Sequence, residues 1–165
     1  MLPDIVAPGL DVLFCGTAPG AMSAARGHYY ARPGNRFWPL LAEIGLTPRR
    51  LHPDEDHLLP GFGLGLTDLA QGVSGQDAEI PRHAYAPDRL QALVAAIRPR
   101  ALAFTSLTAA RLALGVPRLA AGALPADPRY GHTRLWALPS PSGLARSHFS
   151  ADPWLALAAW RKGLR

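Results

Sequence analysis

The chain of 165 residues is 48% apolar and 18% charged, the proportions of a globular protein rather than a disordered one, and its length fits one domain but is short for two. A net charge of +5 with a sequence pI of ≈ 10.1 favours a polyanionic partner. Cys15 is the only cysteine, which excludes an internal disulfide and any four-thiolate iron–sulfur or zinc site within one chain.

No apolar run reaches the length needed to cross a bilayer, and Met1-Leu2-Pro3-Asp4-Ile5 lacks a basic leader region. The expectation is a soluble cytoplasmic protein, nucleoid-associated if the source is bacterial. Lys162 is the only lysine, so phosphate contacts would be made by forked guanidinium groups. Abundant Ala and Pro point to GC-rich coding as the larger cause of that bias. The six histidines are scattered; His52 and His57 flank Asp54, Glu55 and Asp56, but Leu51 and Pro53 make this stretch read as a solvated helix start rather than a metal cage.

In chain order, residues 11–15 read as a short buried strand, leading into Gly16-Thr17-Ala18-Pro19-Gly20. Gly34 and Asn35 introduce an amphipathic helix to about Ile44, with Phe37, Leu40, Leu41 and Ile44 at helical spacing and Gly45 as the stop. A short helix is expected over 54–59, and Gly63 to Thr67 reads as an extended segment with Asp68 at its carboxyl end. Residues 69–86 have no strong period and read as a loop or a weakly marked helix. Pro87-Asp88 opens a helix in which Leu90, Leu93, Val94 and Ile97 share a face, ending before Pro99.

Residues 101–105 form another core strand, and Ser106 or Thr108 can cap a helix running to Leu114. Residues 115–132 read as surface loop, residues 134–138 as the strand that closes the sheet, and Asp152-Pro153 as the cap of a last helix to about Lys162. Strands alternating with helices imply one domain over residues 1–165, a three-layer α/β/α fold with a mostly parallel central sheet.

Two strand-end segments carry the chemistry: Gly16-Thr17-Ala18-Pro19-Gly20, and Ser140-Pro141-Ser142-Gly143-Leu144-Ala145-Arg146 after Leu135 to Leu138. Open α/β sheets bind ligands at the edge to which such strands deliver the chain. Together with Tyr29-Tyr30-Ala31-Arg32-Pro33-Gly34-Asn35-Arg36-Phe37-Trp38, this layout resembles the mismatch-specific uracil-DNA glycosylase family, which includes thymine-DNA glycosylases, within the uracil-DNA glycosylase superfamily. The resemblance runs from about residue 5 to residue 160. It implies that Gly16, Thr17 and Ala18 approach a flipped base through their backbone, with Ser140 at the same pocket. It also implies that Tyr30 stacks on the base, Leu144 fills the vacated stack, Ser142 and Gly143 belong to the same DNA-binding segment, and Arg146 contacts DNA. Tyr29 is the neighbouring rival to Tyr30, and a core tyrosine or a buried leucine under a surface turn would explain Tyr30 or Leu144 without DNA.

Two departures bear on catalysis. The family usually carries Asn or Asp where this chain has Ala18, and Asn where it has Ser140. Ala18 has no polar group to orient water, so another residue must do so or activity is lost. Among the carboxylates, Asp4 is near the terminus, Asp88 and Asp152 sit at helix starts, Asp54, Glu55 and Asp56 form a charged cluster, and Asp77 and Glu79 fall in the ambiguous loop. Asp68 alone combines a carboxylate with the carboxyl end of an extended core segment. It can orient water or stabilise a developing positive sugar; a turn-capping Asp is the alternative.

The expected activity is cofactor-free hydrolytic removal of uracil and related damaged pyrimidines from double-stranded DNA, favouring G·U mismatches and leaving an abasic site, with single-stranded DNA as a further substrate. The expected protein is a monomer that works without a membrane. Scarce lysine favours a monofunctional glycosylase, because Schiff-base chemistry needs an amine. A catalytically silent damaged-DNA-binding protein is the alternative. A small-molecule α/β hydrolase is weakened by the absence of a Gly-x-Ser-x-Gly elbow.

Overall fold

The structure is a computed structural model that describes residues 2–142 and 149–164. Four apolar runs, too short for stable amphipathic helices, form β1 (Val12–Gly16), β2 (Leu64–Asp68), β3 (Ala101–Phe104) and, after the two-residue β4 (Gly122–Ala123), β5 (Arg134–Ala137). The five-stranded sheet has the order β2-β1-β3-β5-β4, parallel except for the β4–β5 pair. Helices α1 (Ala21–Arg26), α2 (Phe37–Glu43), α3 (Pro87–Ile97), α4 (Leu107–Leu114) and α5 (Asp152–Lys162) complete the fold.

The period-2 alternation of β1 sorts the core into two layers. Val12 and Phe14 pack with Phe37, Trp38 and Leu41 of α2 and with Trp154 and Leu157 of α5. Leu13 and Cys15 pack on the opposite face with Leu90 and Val94 of α3 and Ala109 and Ala113 of α4. Helices therefore cover both faces of the sheet, the arrangement that parallel strands require. Cys15 is fully buried, and burial pushes its thiol well above the ordinary range, so it is a packing residue.

Several boundaries differ from the sequence expectations for identifiable reasons. The segment 115–132 contains β4, which forms the edge of the sheet beyond β5, so residues 134–137 do not close it; two residues paired at an edge leave no readable period. The six-residue α1 escaped notice because it buries only Ser23. Helix α2 begins two residues after Asn35, whose Oδ1 accepts from the Phe37 backbone N–H at 2.9 Å, and ends before Ile44. The stretch Pro53–Phe62 winds as a 3₁₀ helix, and 69–86 holds two single 3₁₀ turns, Asp77–Glu79 and Arg82–Ala84. Ser106, not Thr108, caps α4, accepting from the Ala109 N–H at 3.0 Å. Ala151, not Asp152, takes the N-cap position of α5, with Pro153 in the first turn.

The open edge of β2 is covered by the N-terminal segment: Ile5 and Leu66 exchange backbone hydrogen bonds of 2.9 and 2.8 Å. A glycine is needed beneath this strap, because a Cβ on Gly65 would lie 2.7 Å from the Ile5 carbonyl oxygen and 2.4 Å from Leu10 Cδ1. Just before β2, the buried Arg161 guanidinium uses all three of its nitrogens. Its Nε donates to Asp11 at 3.0 Å, Nη1 donates to the Leu46 carbonyl at 2.8 Å, and Nη2 donates to the Phe62 carbonyl. It ties α5 to the chain entering β1 and β2. Gly65→Ala is expected to lower stability by about 1–3 kcal/mol, the usual cost of overpacking, read as a lower unfolding midpoint in denaturant with the helical content of the native state kept.

Candidate functional site

Parallel register places Gly16 directly beside Asp68 at the carboxyl edge of the sheet, and Thr105 follows immediately after β3 on the same edge. The three meet because Gly16 has no side chain. A Cβ there would stand 2.9 Å from Asp68 Oδ1, 3.2 Å from the Tyr30 hydroxyl and 3.3 Å from Thr105 Oγ1. The Tyr30 and Thr105 hydroxyls are 2.9 Å apart, and the Tyr30 ring stacks on Phe37 with centroids 4.1 Å apart. Tyr30 takes φ = 52°, a left-handed conformation that is costly for an aromatic residue. Local strain, a hydroxyl contact and a stacking partner together fix its ring at the pocket.

These groups line a cavity of ≈ 810 Å³ with Thr17, Ala18, Ser140 and Ser142. Thus the sequence-selected Gly16, Thr17, Ala18, Tyr30, Asp68, Ser140 and Ser142 converge on one hollow. Gly143, Leu144 and Arg146 lie outside the described residues. Tyr29 lines the same cavity but differs from Tyr30 in its bonds: its hydroxyl donates to the Pro3 carbonyl at 2.9 Å and its ring belongs to the main core, whereas the Tyr30 hydroxyl meets Thr105. Ala18 both lines the cavity and packs against the small apolar cluster of Ala70, Ile80 and Ala84.

Sequence reasoning missed part of the wall. Asp77 accepts from Thr17 Oγ1 at 2.6 Å, and the Gly75 N–H donates to the Pro19 carbonyl at 2.9 Å, folding the ambiguous loop over the first strand-end turn. Asn35 and Thr105 also line the cavity. Thr105 was legible as the last residue of a strand; Asp77 carried no periodic signal.

Asp68 is 8% exposed, and among the described residues its carboxyl group receives no hydrogen bond. Burial, reinforced by the Asp4 carboxylate and opposed by the Arg89 guanidinium, pushes its pKa up to about 7. Burial likewise raises the Tyr30 phenol above its ordinary value. A carboxylate with free lone pairs and a pKa near neutrality can accept a proton from water at working pH. Among the described residues no group of three or more His, Cys, Asp or Glu side chains could hold a metal ion, and no helix is long and apolar enough to cross a membrane.

The described start of the second strand-end segment is held by three hydrogen bonds. Trp154 Nε1 donates to the Pro139 carbonyl at 2.9 Å, the Arg36 N–H donates to the Pro141 carbonyl at 2.9 Å, and the Ser142 N–H donates to Ser140 Oγ at 3.2 Å. Arg36 also lies over the Phe149 ring, 4.1 Å from its centroid.

Against known families, the model of the uracil DNA glycosylase superfamily matches residues 3–162. The chain belongs to the uracil DNA glycosylase superfamily. Its fold is also similar to a solution NMR structure from Methanosarcina acetivorans, provisionally described as a uracil DNA glycosylase, with a TM-score of 0.71 and 19% identity over 99% of this chain and 97% of that one. Within this superfamily member, the three side chains meeting at Gly16 come from segments separated by more than thirty positions: sheet register joins Asp68 and Thr105, and the hydroxyl contact with Thr105 and the stack on Phe37 bring in Tyr30.

Gly16→Ala is expected to push Asp68 and Tyr30 out of the pocket while leaving the sheet paired. The check is a crystal structure of the variant together with affinity for uracil-containing DNA: an unmoved Asp68 carboxyl would show that the edge has slack. A second expectation follows from the raised Asp68 pKa. A carboxyl whose folded-state pKa lies above its unfolded value stabilises the fold fully below the unfolded pKa and loses that contribution as pH rises through the folded pKa. Asp68→Asn should therefore gain thermal stability over the parent protein between pH 5 and pH 8, measured as the difference in melting temperature at each pH; a constant difference would show that Asp68 does not titrate in this window.

Proposed function

We propose that this protein is a monofunctional DNA glycosylase that extrudes uracil, or a related damaged pyrimidine, and hydrolyses its bond to deoxyribose. The observation that carries the reading is the buried Asp68 carboxyl, unengaged by the described residues and set beside Gly16 and Tyr30 at the edge where the sheet delivers its loops. Superfamily membership supports the same substrate class.

In this reading the flipped base stacks near Tyr30, with the backbone of Gly16, Thr17 and Ala18 and the Ser140 hydroxyl at its edges. Asp68 orients a water and takes its proton as the oxygen attacks C1′. The N-glycosidic bond breaks with its electron pair on the base, which departs as an anion and is protonated by solvent. The ionised carboxylate also stabilises the positive charge that develops on the sugar. Asp68 thereby supplies the water-orienting group that Ala18 cannot, and the apolar neighbours of Ala18 account for a small side chain there. The product is an abasic site, and with Lys162 on α5 the only lysine, no amine is assigned to strand cleavage.

Leu144 and Arg146 take the wedge and DNA-contact roles, between described flanks that Trp154 and Arg36 hold at Pro139, Pro141 and Phe149. Duplex DNA with a G·U mismatch is the favoured substrate, because a mismatched base costs less to extrude. The protein acts as a cytoplasmic monomer, a single glycosylase domain spanning the chain.

Incubating the protein with uracil-containing duplexes, and assaying free base, abasic sites and strand breaks separately, tests the reading. Free uracil with abasic sites and no breaks is expected. Binding without base release would favour the silent damage-binding alternative. Asp68→Asn should reduce single-turnover base release by about 10²–10⁴-fold, the usual worth of a general base, with duplex affinity nearly unchanged. Because the base works ionised, the parent rate should rise with pH and level off above about 7, tracking the Asp68 pKa.

A further inference from the structure

Asp68 is backed by a charge pair that the cavity does not contain. The Ile5–Leu66 strap fixes Asp4 beside β2, where Asp4 Oδ1 accepts from Thr67 Oγ1 at 2.6 Å. Arg89, from the first turn of α3, grips the same carboxylate with both arms: Nη1 donates to Oδ2 at 2.8 Å and Nη2 to Oδ1 at 3.0 Å. Nη2 also reaches Thr67 Oγ1 at 3.0 Å and the Asp68 backbone carbonyl at 3.5 Å. The start of α3 is tied to the same strand end, since the Ala86 N–H donates to the Leu69 carbonyl at 2.9 Å. Five groups from three distant segments thus converge on the back of Asp68. Neither Asp4 nor Arg89 is among the residues lining the cavity.

We propose that Arg89 and Asp4 are a positioning and charge-balancing pair for Asp68: the guanidinium holds the strand end from behind, and the Asp4 carboxylate keeps that guanidinium from over-stabilising the Asp68 carboxylate. The proposal rests on the glycosylase reading of the site for its consequence, though not for its geometry.

The pair is suited to this work by its imbalance of bonds. A bare arginine beside Asp68 would favour its ionised form and weaken it as a proton acceptor, whereas a bare aspartate would keep it protonated. Bidentate pairing fixes both charges in one geometry. The other titratable groups facing Asp68 are Cys15 on β1 and Tyr29 and Tyr30 on the turn before α2; burial raises all three, so they stay neutral near pH 7. Asp77 occupies the pocket wall and is engaged by Thr17. Arg89 and Asp4 are therefore the charges left to set the balance from the far side.

The test compares Asp4→Asn, Arg89→Gln and the double variant by two readouts, a carbon-detected NMR titration of the Asp68 carboxyl, assigned by its loss in Asp68→Asn, and the pH profile of single-turnover uracil release. Asp4→Asn leaves the guanidinium uncompensated and should lower the Asp68 midpoint by about half to one pH unit. Arg89→Gln leaves the carboxylate uncompensated and should raise it by a similar amount, and the double variant should return it close to the parent value; an opposite charge in close contact shifts a carboxyl by about one to three units, and a more distant, partly screened one by less. Arg89→Lys keeps the charge without the two-armed grip, so it should hold the midpoint while lowering the plateau rate. Shifts in the same direction, or none, would overturn the proposal, because loss of packing alone has no reason to reverse sign with the charge removed. If none of the proteins releases base, the glycosylase reading falls, and the NMR midpoints still decide the charge-balancing proposal.

Discussion

The site depends on one contact, the approach of Asp68 to Gly16 across two neighbouring parallel strands. Their register brings the last residue of β1 level with the last residue of β2. Because position 16 carries only hydrogen, a carboxylate, a phenol and a threonine hydroxyl occupy the space a methyl group would take. Everything proposed for catalysis passes through this crowding, since it confines Asp68 and Tyr30 to one corner of the cavity.

Two buried charged groups, Asp68 and Arg161, show how the fold separates stability from chemistry. Arg161 has a partner for each of its three nitrogens and joins α5, the chain before β1 and the carbonyl before β2. Asp68 is comparably buried and its carboxyl is left without a hydrogen bond from the described residues. A satisfied buried ion locks structure, while an unsatisfied one is costly in its charged form and shifts its pKa instead. The cost at Asp68 is what makes a carboxylate useful near neutral pH. The strain at Tyr30, held at positive φ, is a second local expense at the same pocket.

The described flanks of the second strand-end segment are tied to the core. The Trp154 indole stacks near Phe14 and donates to the Pro139 carbonyl, so the same side chain packs on β1 and anchors the entrance to the loop. Arg36, immediately before α2, binds the Pro141 carbonyl and covers Phe149 on the return. Both loop flanks are thereby referred to elements that also position Tyr30, through Phe37.

The sequence by itself determined the alternation of short apolar strands with helices, the helix α3 to its limits, and Asp68 as the carboxylate at a strand end. Each of these is a local property: residue-by-residue burial, 3.6-residue spacing, or a polar residue following an apolar run. It also marked the two strand-end turns, whose glycines and prolines are legible without neighbours. Tertiary structure decided what local pattern does not encode. It gave the adjacent hydroxyls of Tyr30 and Tyr29 different partners, Thr105 and the Pro3 carbonyl. It drew Asp77 from an aperiodic loop to Thr17, and paired Asp4, set aside as near-terminal, with Arg89 eighty-five positions away. The strand β4 likewise exists only because β5 supplies its hydrogen bonds. Pairings of this kind are fixed by contacts between segments far apart in the chain, and no local window of the sequence contains both partners.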